Sequence, residues 1–294
     1  MLSDVGCVVV HHKNYPGVLN TVSAILAQGV PANQVVFVDN SEDPDLAARI
    51  RTELTPGVRF LTQVNLGYGH AANIGIRTLQ SDSPCPKYIL ISTHEAIPEP
   101  NAISAMRQTM VVTRAAVVGP TLIGHQGSTD KIWSTGGELS RILNIPFHTR
   151  LGPAVGCRSS EPVERAWLDG AFCLYLADAL ASLAFREEYF LYFEEVDLHL
   201  RIEKWGGRVM WTPTARVSQV PSGTPAYYLT RNMHIFQFWQ GNDAQRLVTP
   251  IYALLRLALR ASVKDRRISV FRDMWRGFLD GLRLNQTLRR KQQF

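Results

Sequence analysis

The sequence lacks the long apolar runs that membrane-spanning helices require. A bilayer needs about 20 consecutive apolar residues, and the best candidate, residues 251–261, is interrupted by Arg256 and Arg260. No basic leader precedes the first apolar run, which is only as long as a strand, so we expect no secretory signal peptide. We therefore expect a cytoplasmic protein, whose contact with the inner face of the cell membrane, if any, is peripheral.

Cysteine is also scarce, with four residues among 294. Cys7, Cys85, Cys157 and Cys173 show none of the short spacings of zinc sites or redox pairs. We predict reduced and mostly buried thiols, as in other cytosolic proteins.

A dinucleotide-binding loop is missing as well. The loop after the first apolar run begins with His11-His12-Lys13 and contains no G-x-G-x-x-G pattern. Its bulky side chains would keep a pyrophosphate away from bare backbone. These features argue against a Rossmann dehydrogenase.

The residues that are present indicate a globular chain with an uneven charge. The chain is 46% hydrophobic, enough for a sizeable core. Residues 251–294 contain eleven Lys/Arg and three Asp/Glu. The first 250 residues contain twenty Lys/Arg and twenty-two Asp/Glu. A basic tail of this kind is typical of contact with an anionic membrane surface or nucleic acid. We predict a catalytic domain over residues 1–240 and an amphipathic, basic helical extension over residues 241–294.

Short apolar runs alternate with helical patterns in the first third of the chain. The runs at residues 5–10, 35–38 and 58–61 have the length of strands, and the segments between them carry apolar residues at helical spacing. Further strands are predicted at residues 87–91, 115–119 and 206–213, and residues 173–177 form another apolar run. This order predicts an α/β fold with a mainly parallel, Rossmann-like central sheet flanked by helices. Ligands of such sheets bind beyond the carboxyl ends of the strands.

Two predicted strands end beside an acidic residue. At Asp39 a carboxylate would receive ribose hydroxyls or a base N–H, although a turn or helix-capping aspartate fits equally well. The carboxylate of Glu95 could hold a divalent cation against a diphosphate. The alternative is that Glu95 is a solvated acid in a loop. The neighbouring His94 fits a loop histidine better than a ligand.

A glycine-rich loop follows the third predicted strand, with the sequence Asn65-Leu-Gly67-Tyr-Gly69-His-Ala-Ala-Asn73-Ile-Gly75. Its glycines permit positive φ and a close approach of the backbone to a ligand, and its small residues let the following helix pack tightly. Later in the chain, Gly170 and Ala171 would likewise let a substrate approach the backbone, but a plain turn fits equally well.

Three acids, Glu194, Glu195 and Asp197, follow the aromatic run at residues 189–193 and open a predicted helix. Acids at the start of a helix are stabilised by its dipole, which is a purely structural explanation. Alternatively, desolvation by the aromatic residues and repulsion between like charges would raise a carboxyl pKa toward neutral pH, as a general base requires. The cluster alone leaves both explanations open.

Together, the motifs of residues 5–238 resemble glycosyltransferase family 2, and especially its bacterial rhamnosyltransferase-like members. The matching segments are Val-Val-Phe-Val-Asp39-Asn40-Ser41, Asn65-x-Gly67-Tyr-Gly69-x-x-x-Asn73-x-Gly75, Ile-Leu-Ile-Ser-Thr93-His-Glu95, Trp167-x-x-Gly170-Ala171, Phe190-Leu-Tyr-Phe-Glu194-Glu195-Val-Asp197-Leu and Tyr227-Tyr228-x-x-Arg231-Asn232.

The resemblance implies a GT-A fold and an inverting transfer of a sugar with Glu195 as the general base. Glu194 and Asp197 would position acceptor hydroxyls or Glu195 itself, with Asp197 as the alternative base. The implied nucleotide-sugar-binding residues are His11, Asp39, Asn40, Asn65, Gly67, Gly69, Asn73 and Thr93. The implied acceptor-side residues are Trp167, Asp169, Gly170, Ala171 and Arg231.

The resemblance also implies Mg²⁺ or Mn²⁺ at Glu95, but the sequence departs from the family there. Glu95 stands where the family usually has an aspartate, and Gln219 stands where many members have a histidine. With fewer hard or charged ligands, we expect weaker cation binding.

The tail carries apolar residues every four positions, at Val270, Met274, Phe278 and Leu282. This pattern predicts either a helix that packs on the protein or a partner, or an interfacial helix on anionic lipid through residues 269–291. Nucleic-acid binding is not expected, since no known reading module accompanies the basic residues. A homodimer remains open.

We therefore predict a glycosyltransferase that uses a dTDP-rhamnose-like or UDP-sugar donor. Its acceptor would be a polyprenyl-diphosphate-linked or cell-surface glycan, in the synthesis of cell-wall polysaccharide. The alternative is a nucleotide-sugar-binding protein with little or no turnover, because Glu95 and Gln219 depart from the usual ligands.

Overall fold

The computed structural model describes residues 1–126, 129–149, 160–219, 223–264 and 268–291. Within these ranges the strands are β1 (Val5–His11), β2 (Val35–Asp39), β3 (Arg59–Thr62), β4 (Tyr88–Thr93), β5 (Ile97–Pro98), β6 (Val117–Gln126), β7 (Thr129–Ser134), β8 (Gly137–Leu139), β9 (Pro146–His148), β10 (Val163–Glu164), β11 (Phe172–Leu176) and β12 (Val209–Ser218). The α-helices are α1 (Gly17–Ala27), α2 (Pro44–Glu53), α3 (Tyr68–Gln80), α4 (Ala102–Thr113), α5 (Ala177–Ser182), α6 (Glu194–Lys204), α7 (Ala226–Gln240), α8 (Asp243–Lys264) and α9 (Ile268–Lys291).

Ten of the described strands form one sheet, in the order β10-β12-β6-β11-β4-β1-β2-β3, with β5 paired to β12 and β7 to β6. β1 pairs in parallel with both β2 and β4, and β2 pairs in parallel with β3. The register aligns His11 with Asp39 and Val10 with Thr93. The carboxyl ends of these strands therefore meet at one edge, where ligands of such sheets bind.

The strand β11 runs antiparallel between β4 and β6. Beyond it, β6 and β12 pair in parallel. An apolar run that is buried on both faces, such as residues 173–177, carries no signal of strand direction. The centre of the sheet therefore consists of two parallel blocks joined by β11, a detail that the sequence did not reveal. β5, β7 and β10 add further antiparallel pairs beside β6 and β12.

Side chains alternate between two cores along the strands, as period-2 geometry requires. In β1, Val5, Cys7 and Val9 pack on the side of α1, α2 and α4, whereas Val8 and Val10 pack on the side of α3, α5 and α6. Helices thus cover both faces of the sheet. This arrangement explains why the strands appear in the sequence as unbroken apolar runs.

The C-terminal helices pack against α7, and the contact with α9 is close. Gly277 and Gly281 of α9 lie against the backbone carbonyl oxygens of Tyr227 and Arg231 on α7. The predicted stripe of α9 is divided: Met274 is buried, Phe278 half-buried and Leu282 exposed. Among the described residues, none of the helices combines the length and the hydropathy that crossing a bilayer would take.

The thiols agree in part with their prediction. Cys7 and Cys173 are buried and unpaired, and Cys85 is exposed and unpaired. Cys157 lies outside the described residues.

The close packing of α9 on α7 predicts that Gly277→Ala destabilises the fold. Helix propensity alone would make this change stabilising by about 1 kcal/mol. A Cβ at this position would, however, collide with the carbonyl oxygen of Tyr227 and lie 2.5 Å from Oγ1 of Thr230. Because overpacking costs about 1–3 kcal/mol, we expect a net loss of up to about 2 kcal/mol, measured as a lower midpoint of urea unfolding.

Gln286→Ala provides the matched control, because Gln286 lies on the exposed side of the same helix. We expect it to change the unfolding free energy by less than about 0.5 kcal/mol. An increase in stability of the Gly277→Ala variant would contradict the contact between α7 and α9.

Candidate active site

Residues 187–193, which precede α6, have an unusual backbone conformation, and we call this segment the aromatic loop. Phe190, Tyr192 and Phe193 have positive φ angles of 64°, 69° and 74°. Such angles cost non-glycine residues about 1–3 kcal/mol each and persist only when the surroundings impose them. The loop places Glu194 and Glu195 in the first turn of α6.

The helix α7 holds this loop from one side. Arg231 and Asn232 donate hydrogen bonds of 2.7–3.0 Å to four of its carbonyl oxygens, those of Glu188, Tyr189, Leu191 and Tyr192. Four bonds of this kind offset much of the backbone strain, since a net hydrogen bond is worth about 0.5–1.5 kcal/mol. Arg231, predicted on the acceptor side, therefore supports the loop, and it is not among the residues that line the cavity described below.

The glycine-rich loop holds the aromatic loop from the other side. Gly67, with φ 104°, lies directly against the backbone of Phe190, and the N–H of Tyr68 donates to the Phe190 carbonyl at 2.7 Å. A side chain at Gly67 would collide with that carbonyl. The side chain of Asn73 binds the backbone N–H and carbonyl of Phe185 and the carboxylate of Glu187 at 2.9–3.0 Å. Gly67 and Asn73, both predicted to bind the nucleotide sugar, thus also shape the acidic site.

A cavity of about 450 Å³ lies next to the start of α6. It is lined by parts of the glycine-rich loop, the end of β4, the β7–β9 region, the aromatic loop and the start of α7. The lining residues are Tyr68, Thr93, Trp133, Pro146, His148, Trp167, Asp169, Gly170, Ala171, Leu191, Tyr192, Phe193, Glu194, Glu195, Val196, Gln219, Gly223, Thr224 and Leu229. Seven predicted site residues meet here: Thr93, Trp167, Asp169, Gly170, Ala171, Glu194 and Glu195.

The two glutamates in the cavity wall are poorly compensated. Oε2 of Glu194 and Oε2 of Glu195 are buried, and neither has a hydrogen-bond partner among the described residues. Burial raises the pKa of Glu195 to about 7, and the nearby Asp169 carboxylate acts in the same direction. Burial and the adjacent Glu195 raise the pKa of Glu194 still further above its usual value. Buried acceptors without partners are rare and often mark a functional site.

Asp197 differs sharply from these neighbours. Its fully buried carboxylate accepts hydrogen bonds from Arg186 (2.6 Å), Arg201 (2.8 Å) and Gln240 (2.7 Å). Arg186 also stacks on the ring of Trp239, with its guanidinium carbon 3.8 Å from the ring centroid. Asp197 is also not among the residues that line the cavity. Its three partners and its position favour a structural role over that of the alternative base.

Gly170 lets the backbone of its segment approach Glu195 closely. A Cβ at Gly170 would lie 3.1 Å from Cβ of Glu195. The segment is fixed by Tyr68, whose hydroxyl donates to the Gly170 carbonyl at 2.7 Å, and by Nδ1 of His199, which accepts the Leu168 N–H at 3.1 Å. Sequence reasoning missed His199, although its position one turn after Glu195 places it on the same face of α6.

The opposite wall of the cavity combines aromatic and polar groups, and sequence reasoning missed Trp133, Ser134 and His148 among them. The His148 ring lies between those of Trp133 and Trp167, with centroids 6.0 and 4.9 Å away. Asp169 accepts a hydrogen bond from Ser134, and the Nδ1 atom of His148 lies 3.8 Å from its carboxylate. Burial raises the pKa of Asp169, whereas the charge of His148 opposes that shift. The short strands β7 and β9 supply part of this wall. Residues 127–128 and 150–159 lie outside the described ranges.

Asp39 lies at the sheet edge in a network of its own. Its Oδ1 atom accepts from Nδ1 of His11 (2.8 Å) and from the backbone N–H (3.0 Å) and hydroxyl (2.6 Å) of Ser41. Because Nε2 of His11 accepts the N–H of Asn14 at 3.0 Å, the neutral His11 carries its proton on Nδ1. Burial raises the pKa of Asp39, but the bonds from His11 and Ser41 outweigh it and hold this pKa below its usual value. His11 therefore fixes an ionised Asp39.

Asn40 and Asn65 shape the loop beside Asp39. The Asn40 amide donates to the Gly67 carbonyl at 3.2 Å and accepts from Gln63 at 2.7 Å. Oδ1 of Asn65 accepts the Gly67 N–H at 3.2 Å. Gly69 lies in the first turn of α3. A Cβ added at this position would lie 3.8 Å from Cγ of Glu194. The glycine-rich loop thus connects the Asp39 edge with the acidic cavity.

Glu95, the predicted cation ligand, is joined to the cavity through Gln219. Nε2 of Gln219 donates to Oε1 of Glu95 at 3.1 Å, and Oε1 of Gln219 is buried without a partner among the described residues. Two side-chain oxygens here suit a hard cation that takes its remaining ligands from phosphates and water. Nδ1 of His94 accepts the His12 N–H at 3.3 Å, and burial lowers the pKa of His94 to about 4. No group of three or more His, Cys, Asp or Glu suited to a metal occurs in the described part of the chain.

Comparison with known proteins places this geometry in context. A family model described as glycosyl transferase family 2 matches residues 7–167. Two curated relatives from Mycobacterium tuberculosis, strains CDC 1551 / Oshkosh and ATCC 25618 / H37Rv, are both named N-acetylglucosaminyl-diphospho-decaprenol L-rhamnosyltransferase. Each is 29% identical over 203 residues, which cover 62% of this chain and 65% of the relative's length.

Solved structures confirm the predicted GT-A fold. GalNAc-T7, crystallised with UDP, GalNAc and Mn²⁺, superposes with a TM-score of 0.63 at 14% identity, covering 95% of this chain and 56% of its own. Residues 1–349 of TarS from S. aureus superpose with a TM-score of 0.54 at 12% identity, covering 94% of this chain and 80% of its own. At these identities the likeness shows the fold alone.

Asn232 donates two of the hydrogen bonds that hold the aromatic loop. We therefore predict that Asn232→Ala makes the loop less stable. The change leaves two loop carbonyls without their donors, and each such loss costs about 1–3 kcal/mol. We expect an unfolding free energy lower by at least about 1 kcal/mol and faster limited proteolysis within residues 187–193, measured by urea unfolding and by mass spectrometry of the fragments.

Asn33→Ala is a suitable control, because Asn33 is exposed and far along the chain from the loop. It should leave both readouts unchanged. Equal proteolysis of wild type and Asn232→Ala would show that Asn232 does not hold the loop.

Proposed function

Since the chain belongs to glycosyl transferase family 2 and is a glycosyltransferase, we propose that it transfers its sugar with inversion and uses Glu195 as the general base. The observation that carries this proposal is the Glu195 carboxyl in the cavity wall. One of its oxygens is buried without a partner among the described residues, and its pKa is raised to about 7. A base with a pKa near the working pH is the most effective proton acceptor.

The proposed reaction is a single displacement. Glu195 accepts the proton of the acceptor hydroxyl while that oxygen forms a bond to the anomeric carbon of the donor sugar. The bond between this carbon and the diphosphate breaks at the same time, and the nucleoside diphosphate leaves with the electron pair. Attack from the face opposite the leaving group inverts the anomeric configuration. Glu194, whose pKa is raised by burial and by the adjacent Glu195, positions the acceptor hydroxyl or Glu195 itself.

The proposed donor site is the sheet edge around Asp39. All three hydrogen bonds to this carboxylate go to Oδ1, so Oδ2 is assigned to the base or ribose of the nucleotide. His11 and Asn40 hold Asp39 and the glycine-rich loop. Gly67 packs against Phe190 and Gly69 against Phe185, whereas Thr93 lines the cavity together with Glu195. The mycobacterial relatives' name supports dTDP-rhamnose as the donor to test first, with a UDP-sugar as the second.

The proposed acceptor is a sugar linked to a polyprenyl diphosphate. The relatives' name specifies a diphospho-decaprenol acceptor, and the cavity wall of Trp133, His148 and Trp167 offers aromatic faces on which a sugar ring can pack. Asp169 and its partner Ser134 are placed to bind acceptor hydroxyls. Such a reaction belongs to the synthesis of cell-wall polysaccharide. The match spans 65% of the relatives' length, and their full activity is carried over here as a proposal.

Glu95 and Gln219 are the residues that would hold Mg²⁺ or Mn²⁺. When bound, the cation neutralises charge on the leaving diphosphate. The chain's own contribution is the pair of oxygens from Glu95 and Gln219 beside Thr93, at the end of β4. A longer carboxylate and a neutral amide predict weaker cation binding than an aspartate–histidine pair gives.

The lipid-linked acceptor gives a reason for peripheral contact with the inner face of the cell membrane through residues 269–291. We retain this contact, a cytoplasmic location and a homodimer as proposals. No nucleic-acid partner is proposed.

Glu195→Gln should abolish transfer without preventing donor binding. The amide cannot accept the acceptor proton, and loss of a general base costs typically ~10²–10⁴-fold in rate. We expect kcat to fall at least about 100-fold, measured as nucleoside diphosphate released from dTDP-rhamnose or UDP-sugars with Mg²⁺ or Mn²⁺. The thermal shift produced by the nucleotide should stay close to that of wild type.

Glu203→Gln is the matched control, because Glu203 lies exposed on the same helix. It should retain full activity. Full activity of the Glu195→Gln variant would remove Glu195 from the mechanism. Binding of nucleotide sugar by the wild type without turnover of any donor would favour the alternative of a sugar-nucleotide-binding protein.

The raised pKa of Glu195 predicts a rate that depends on pH. The proposed base acts only when deprotonated, so kcat/KM should rise tenfold per pH unit below about pH 7 and level off above it. A steady-state profile from pH 5 to 9 with saturating divalent cation measures this limb. A rate that stays flat down to pH 5 would exclude a base with this pKa.

Stability should change with pH in the opposite direction. The folded state holds the Glu195 proton up to about pH 7, whereas the unfolded chain releases it near 4.5. The folded protein therefore binds more protons between these values, and its stability falls as pH rises through that window. Glu195→Gln removes this loss, so the variant should gain stability relative to wild type between pH 5 and 8.

A further inference from the structure

The two C-terminal helices carry large apolar side chains on their outer surfaces. We name these residues the outer apolar face; each of them is between 36% and 70% exposed. They are Leu247, Val248, Ile251, Tyr252 and Leu255 on α8, and Phe271, Trp275, Leu279 and Leu282 on α9. Nine such residues on two adjoining helices exceed the scattered exposed apolar residues that are normal for a soluble surface.

The helix α8 is apolar on two opposite sides. Thr249, Ala253 and Ala261 are buried against the protein, whereas Leu247, Ile251 and Leu255 recur every four residues on the other side. At 100° per residue, these two sets lie on opposite faces of the helix. A helix that packed on the protein alone would need only the first set.

On α9, arginines lie next to the outer apolar face. Arg272, Arg276 and Arg283 are 75–79% exposed. The guanidinium carbon of Arg276 lies 5.7 Å from the ring centroid of Tyr227 on α7. Helical spacing places Arg272 and Arg283 on the side of the α9 apolar residues that points away from α7. The ion pairs with Asp273 and Asp280 span 3.3–3.9 Å and are shared among three arginines and two aspartates. Exposed pairs of this kind leave the surface positive, in line with the excess of eight positive charges over residues 251–294.

We propose that the outer apolar face docks on an anionic lipid bilayer. Trp275 and Tyr252 would lie in the headgroup layer, the aliphatic side chains would enter the acyl boundary, and the arginines would bind lipid phosphates. A second copy of the chain fits this surface less well. In a twofold dimer the same patch of both copies meets, so two positively charged surfaces would be brought together.

The surface is joined to the cavity by a single helix. Leu229 of α7 lines the cavity. One residue later, the hydroxyl of Thr230 donates to the Met274 carbonyl of α9 at 2.9 Å. A helix is about 10 Å across, so α9 lies about one helix diameter from the cavity. This step rests on the proposed function: a polyprenyl-diphosphate acceptor anchored in the bilayer would reach the cavity from the side on which α9 docks.

Vesicle sedimentation of the full chain tests the surface. We expect wild type to sediment with phosphatidylglycerol/phosphatidylcholine vesicles, to do so less at high salt, and to stay in solution with phosphatidylcholine alone. The double variants W275E/L279E and L247E/L255E should each lose at least tenfold in vesicle partition. The control V111E/V112E introduces the same charges at two exposed valines of α4 and should sediment like wild type. Retention of binding by either test variant, when its unfolding midpoint equals that of wild type, would overturn the proposal.

Two further outcomes separate this surface from its alternatives. Absence of wild-type binding to anionic vesicles, together with a dimer in sedimentation velocity that W275E/L279E dissociates, would assign the outer apolar face to a second copy and overturn the proposal. Hydrolysis of dTDP-rhamnose or of a UDP-sugar without vesicles reports on the proposed transfer separately. Vesicle binding without hydrolysis would sink the proposed function and support the surface, and hydrolysis without vesicle binding would do the reverse.

Discussion

The site depends on a backbone conformation that the aromatic loop cannot hold by itself. Left-handed angles at Phe190, Tyr192 and Phe193 are imposed by hydrogen bonds from α7 on one side and by the glycine-rich loop on the other. Because the loop ends directly at α6, its shape fixes where the first turn of that helix presents its acids. Residues far apart in the chain therefore determine the position of one carboxyl group, and many site residues act by holding others.

Three acids at the start of α6 look equivalent in the sequence but differ in their hydrogen-bond partners. Asp197 is enclosed by two arginines and a glutamine, so it stays an anchor for the helix. Glu194 and Glu195 have buried oxygens with no partner among the described residues, which raises the pKa of each. One helical turn thus contains a structural carboxylate and a titrating pair. This division supports Glu195 over Asp197 as the proposed base.

The sequence predicted the alternation of strands and helices well, because apolar runs and helical spacing report burial directly. It located β1, β2, β3 and β4 to within about two residues. It did not predict the antiparallel direction of β11, since a doubly buried strand has no polar face to reveal its partners. The clustering of Thr93, Gly170 and Glu195 followed from the family motifs, whereas His148, Ser134 and His199 carry no motif. Their roles arise from contacts between distant segments, which no local pattern encodes.

The antiparallel strand β11 also has a consequence for the way the protein is made. It fills the gap between β4 and β6, so β4 has no neighbour on that side until residue 172 has been synthesised, ~80 residues after β4 is complete. At about 5–20 residues per second, the ribosome needs roughly 4–16 s for this stretch. During that interval a nascent chain exposes an apolar strand edge, the feature that most readily recruits other chains. Protection of this edge during translation would therefore set the yield of folded enzyme, and truncated products that end before β11 should aggregate.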